Sequence, residues 1–158
     1  MPTRRELRFE TVGDAARDAE HLLAAGYDKA GQWDLAQACN HLALWTAYPL
    51  DGFPPIPFWL KPVFFVVKQT TLPKMTRQVL DGRTMPAGMS TAPHTVFPPG
   101  QDAADAVQKL TTQLRRYENP LGKTHESPVF GFQSDANWLA MVLTHAAHHL
   151  SFLVPKHA

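Results

Sequence analysis

Four stretches of the chain place apolar residues at helical spacing, and each is bounded by residues that start or stop helices. Val12, Ala15, Ala19, Leu22 and Leu23 mark one face of a helix over 12–25, with Thr11 as cap, Asp14 in the first turn and Gly26 at the end. Leu35, Ala38, Cys39, Leu42 and Trp45 or Tyr48 predict a second over 34–48, capped by Asp34. Ala103, Ala106, Val107, Leu110 and Leu114 predict a third over 102–117, stopped by Asn119-Pro120. The fourth runs over 135–153, capped by Ser134 or Asp135 and closed by Pro155. Period-two alternation is scarce: Leu7-Arg8-Phe9 and Thr95-Val96-Phe97 are too short to predict strands.

The link between the second and third helices is long, about 49–100, and holds ten of the fourteen prolines. Part of it still reads as helical. Trp59, Val63, Phe64, Val67, Met75 and Val79 fall at helical spacing, with Pro62 and Pro73 placed to start or kink those pieces. Residues 84–100 read as irregular loop, a candidate lid. Two helical pairs joined by a long crossover is a recognised variant of the four-helix bundle, so the expectation is an all-α single domain over 1–158.

Composition removes several function classes. At 158 residues with 44% hydrophobic side chains, the chain can bury one sizeable core. Net charge is +1, and Lys61, Lys68, Lys74, Arg77 and Arg83 are too spread out, with Asp81 among them, to form a nucleic-acid footprint. The most apolar run, 56–67, is about a dozen residues and is broken by Lys61 and Pro62, whereas a membrane span needs about 20. No secretory signal precedes the first helix, and the lone Cys39 forms no internal disulfide, so a reducing, cytoplasmic setting is expected. Cys39 itself reads as a small core residue, since two residues along a helix put it on a different side from His41.

The chemistry lies in the histidines. His145 and His149 are four apart on the fourth helix, one above the other, a spacing from which two imidazoles reach one ion. Their neighbours are nearly all apolar, so both rings need polar partners once buried, either a metal or backbone carbonyls. His148 lies on the other flank of His145 and is a poorer partner. A third ligand has candidates in His21, His41, His94, His125 and His157, of which His41 lies inside the second helix. His21 and His157 read as solvated, His94 as a possible lid residue, and His125 as a capping or surface residue.

Asn40-His41-Leu42, followed about a hundred residues later by His145-Ala-Ala-His148-His149, resembles the DinB/YfiT-like superfamily of metalloenzymes. Arg5-Glu-Leu-Arg-Phe9, Gly31-Gln-Trp33-Asp-Leu-Ala-Gln37, Asp51-Gly-Phe53, Pro128-Val-Phe-Gly131 and Trp138 are similar to a branch of it known as a domain of unknown function. The resemblance spans about 4–153. It implies a four-helix bundle in which His41, His145 and His149 hold one divalent metal. It further implies activation of a thiol or water against a small electrophile, as in thiol S-transferases, a thiol-dependent isomerase and hydrolases. The long insertion departs from the simplest members, so no substrate pocket carries over from them.

Three neutral imidazoles leave a coordination position open, and zinc, nickel or iron all suit such a donor set. Gln37, one turn before His41, is placed by spacing to steady a ring. Trp45, Tyr48 and Trp138 either wall an apolar pocket beside the histidines or fill the core. Expected partners are a small molecule, with a low-molecular-weight thiol as candidate, and a second copy of the chain through the aromatic-rich 53–65 segment. A non-catalytic bundle that binds metal or ligand is the second reading.

Overall fold

The computed structural model describes residues 2–55, 57–60, 62, 65–66, 72–81, 84–85 and 92–156. It is mostly helical, with little strand. Helix α1, Val12–Ala25, begins where expected: Thr11 and Asp14 form a reciprocal capping box, and Gly26 at φ 71° ends it. Strand β1, Tyr27–Lys29, leads to α2, Leu35–Asp51, which starts on a second reciprocal box between Asp34 and Gln37. Helix α3, Leu72–Asp81, lies in the crossover, followed by α4, Ala103–Arg115, α5, Asp135–Leu150, and strand β2, Leu153–Pro155.

Helix α2 is the centre of the molecule. Every residue from Leu35 to Ala43 is buried, and the helix packs most extensively against α4 through Ala106, Val107, Leu110, Thr111 and Leu114. The small Ala15 and Ala19 bring α1 in against α4, while α5 closes on α2 with Trp138, Met141 and Val142. Tyr117, just past α4, donates its hydroxyl to the Thr46 carbonyl (2.8 Å), and Arg116 makes a two-pronged pair with Asp51 (2.7 and 2.9 Å). These bonds fasten the far end of α2.

Three boundaries differ from the expected ones for physical reasons. Helix α2 does not stop at Tyr48: Pro49 is buried in its last turn, where a proline removes only one ladder donor, and Gly52 at φ 108° ends the helix by donating to the Tyr48 carbonyl (2.9 Å). Helix α4 ends at Arg115 in a 3-10 turn that carries Arg116 and Tyr117. Helix α5 ends at Leu150, because the next residues leave to pair antiparallel with β1, Lys29 opposite Leu153 and Tyr27 opposite Pro155. Three-residue strands with one proline carry too little alternation to be read from sequence. Thr95-Val96-Phe97 joins no strand: Pro93–Thr95 is a 3-10 turn.

In the crossover, Phe58–Leu60 is a 3-10 turn, and α3 confirms part of the helical reading, with Val79 buried against α5. Val63, Phe64, Val67, the Met75 side chain and most of 82–91 lie outside the described residues. Among the described residues, no helix is long and apolar enough to cross a membrane.

Candidate metal centre

The α2 and α5 faces that meet in the core bring His41, His145 and His149 together. One ring nitrogen of each lies within 4.8 Å of the others. The ring centroids are 5.0 Å apart for His41 and His145, 4.6 Å for His41 and His149, and 4.7 Å for His145 and His149. His41 is 1% exposed; the other two are half-buried because one side of each faces a cavity.

The proton positions follow from the partners. His41 Nδ1 is 2.9 Å from the Thr95 carbonyl, which only accepts, so Nδ1 carries the proton and Nε2 keeps its lone pair. That lone pair points toward His145 Nε2, 3.2 Å away. Two nitrogens at about 2.0–2.1 Å from one tetrahedral zinc would sit about 3.3 Å apart, so this edge already has the length of a coordination edge. Burial lowers His41 to about 4, partly opposed by the Thr95 bond. It drives His145 well below its usual range and His149 lower too, with the neighbouring imidazoles adding to the effect. All three rings are therefore neutral at neutral pH, the form that ligates metal.

The backbone that holds His41 is itself strapped to α2. Asp34 Oδ2 accepts from Gly100 N (2.8 Å), Gln37 Nε2 donates to the Phe97 carbonyl (2.8 Å), and Asn40 Nδ2 donates to Gln101 Oε1 (2.8 Å). With the His41–Thr95 bond, one polar edge of α2 runs along the returning crossover and ends at the histidine cluster. Gln37 therefore does not steady a ring directly, as its spacing predicts. Its Oε1 serves the Asp34 N–H and its Nε2 holds Phe97, one turn from the bond that orients His41.

Trp33 lies flat on His149, with centroids 5.0 Å apart and an interplanar angle of 7°, and meets His41 edge-on at 5.0 Å. Trp45 stands 6.1 Å from His145. Both indoles, with Trp138, Phe130, Met141 and Phe152, line a cavity of about 520 Å³ that opens from the histidines, a size usual for small-molecule sites. Tyr48 packs edge-on behind Trp45 and against Phe53, outside the cavity lining. His148 lines the cavity but turns its Nδ1 to Arg4 Nη2 and the Met85 carbonyl, 3.2 Å from each, while Arg4 lies 4.2 Å over the Phe152 ring.

His21 and His94 are exposed, and His125 is a surface residue whose N–H donates to the Pro49 carbonyl (2.8 Å); His157 lies outside the described residues. Cys39 is fully buried and its thiol is pushed up to about 12 by burial, as fits a core residue. Sequence reasoning assigned no site role to Trp33, Thr95, Phe130 or Phe152. Trp33 had a usable signal, because the residue before a helix cap commonly folds back on the first turns. Thr95 had none, since it acts through its carbonyl.

No curated protein and no solved structure matches the chain significantly. Residues 1–156 match the family described as "Protein of unknown function (DUF1569)", and the chain belongs to that family.

Proposed function

We propose that the protein is a metal-dependent enzyme of DinB type, in which α1, α2, α4 and α5 make the four-helix bundle and His41, His145 and His149 hold one divalent ion. The observation that carries this reading is the convergence of three donor nitrogens within 4.8 Å at the foot of a cavity. The residues fit such an ion: the rings are neutral, one is fixed by the Thr95 carbonyl, and a 3.2 Å donor edge is already in place. Zinc, nickel or iron suits three imidazoles, which leave at least one position open.

When bound, a divalent ion lowers the pKa of a thiol or water at that position and so supplies a nucleophile at neutral pH. The chain provides the rest. Trp33 and Trp45 keep the rings in place, the apolar cavity wall limits competing water, and His148 stands beside the centre without joining it. A small molecule is the substrate on this reading, with S-transfer or hydrolysis as the reaction, a cytoplasmic setting, and a homodimer as the assembly.

Elemental analysis of the purified protein tests the centre: about one metal per chain in the wild type, and little in His41→Ala. Thiol-transfer and hydrolytic assays on metal-depleted and reloaded protein test the enzyme. Metal uptake with equal rates in both forms would leave the second reading, a non-catalytic metal-binding bundle.

A further inference from the structure

The wall of the cavity is uniform in one respect. Among the described residues that line it there is no Asp, Glu, Lys or Arg. The Arg4 guanidinium is engaged by Ser151, His148 and the face of Phe152 and does not line the cavity. The indole nitrogens of Trp45 and Trp138 are shielded from water and have no acceptor among the described residues. Histidines aside, the other polar side chains of the described wall, Gln32 and Thr46, are uncharged and so offer no partner to a remote ionic group.

Three neutral imidazoles around a divalent ion leave both of its charges uncompensated. Beside a largely apolar wall, such an excess is balanced most cheaply by an anion at the open position. A second charge carried away from that head would lie against Trp, Phe and Met with no charged partner among the described lining residues.

The geometry points to a compact organic monoanion as the occupant, a ring-sized apolar body with a single thiolate or carboxylate head that takes the open position. This rests on the metal reading above, and it narrows the substrate class. Zwitterionic peptide-like thiols and ligands with a second charge remote from the head are poor ligands, because those charges meet no charged partner among the described lining residues.

The test is binding, read by tryptophan fluorescence and by calorimetry on zinc-loaded protein. Benzyl mercaptan and benzoate are the monoanion probes, which separate a thiolate head from a carboxylate one. Glutathione and terephthalate, whose further charges lie away from the metal-binding head, are the multiply charged counterparts. At least one monoanion is expected to bind about tenfold or more tightly than its counterpart, the equivalent of one unpaired charge. Metal-free protein should lose most of that affinity.

Phe130→Arg supplies the missing partner. Phe130 is half-buried in a turn whose Ser127 Oγ accepts from the Phe130 N–H (3.0 Å), so the backbone does not depend on the ring. The variant should take up zinc normally and shift preference about tenfold toward terephthalate. Zinc uptake with glutathione or terephthalate bound as tightly as the monoanions overturns this inference alone. No zinc uptake overturns it together with the metal centre. An unchanged preference in a folded, zinc-loaded Phe130→Arg overturns the role of the uncharged wall.

Discussion

Two regions build the candidate metal centre by different means. Helix α5 contributes through side chains: His145 and His149 are four apart, project together and would ligate directly. The segment from Thr95 to Gln101 contributes mostly through its backbone. The Thr95 carbonyl fixes the His41 proton, and the Phe97 carbonyl and Gly100 N–H hold the segment against α2. The contrast shows that a site's donors and its orientation can be written in different chemical languages, one of side-chain type and the other of backbone position.

The largest effect should come from breaking the first region. His149→Ala removes a donor outright, so metal affinity should fall more than a hundredfold, beyond the 10–100-fold typical of outer partners. The half-buried ring leaves against the cavity, so far-ultraviolet circular dichroism should stay native. Gln37→Ala loosens only the second region, and a loss of about 3–10-fold is expected, with about 1 kcal/mol of stability from the two bonds given up. Competition titration with a chelating dye measures both. If Gln37→Ala weakened metal as much as His149→Ala, the segment would be setting the site and not steadying it.

The same contrast explains what could be read in the sequence. The capped amphipathic helices announce themselves because the Thr11 and Asp34 boxes and the 3.6-residue apolar stripe are local. The histidines follow, since two lie one turn apart on one such helix. The carbonyl of Thr95 has no side-chain signature, and its contact with His41 spans 54 positions through a proline-rich crossover. Gln37 was singled out by spacing, but its actual partners depend on where that crossover returns. The β1–β2 pair has no signature for a related reason: three residues after α1 and three near position 155 become strands only by finding each other.

The second effect concerns pH in metal-free protein. His41 is lowered from 6.5 to about 4, and His145 and His149 are lowered as well, with burial as the leading cause in each. Below about 6.5 the unfolded chain takes up protons that the folded one refuses, so stability present at pH 7 is lost as pH falls toward 4. His41 alone accounts for about 3 kcal/mol over that interval. Urea unfolding at pH 7, 5.5 and 4.5 should show the midpoint dropping steeply. His41→Gln, which cannot be protonated, should make the profile shallower, with His145 and His149 keeping part of the slope. An equally steep wild-type curve in that variant would place the proton uptake elsewhere.

The smallest effect sharpens the comparison from the other side, because Cys39 sits on α2 two residues from His41 yet belongs to neither region. Its side chain faces the packed core, and burial pushes its thiol up to about 12. It should therefore react with a disulfide reagent only when the protein unfolds, at pH 7 and equally at pH 9. Metal should change the rate only by slowing unfolding, with no direct protection of the kind a thiolate ligand would show. Cys39→Ala leaves the metal centre intact on this view, with affinity within about twofold and only the modest stability loss of a small cavity. A native-state thiol that reacts at once, and is shielded by metal, would instead place sulfur beside the histidines and turn the inert side of α2 into part of the site.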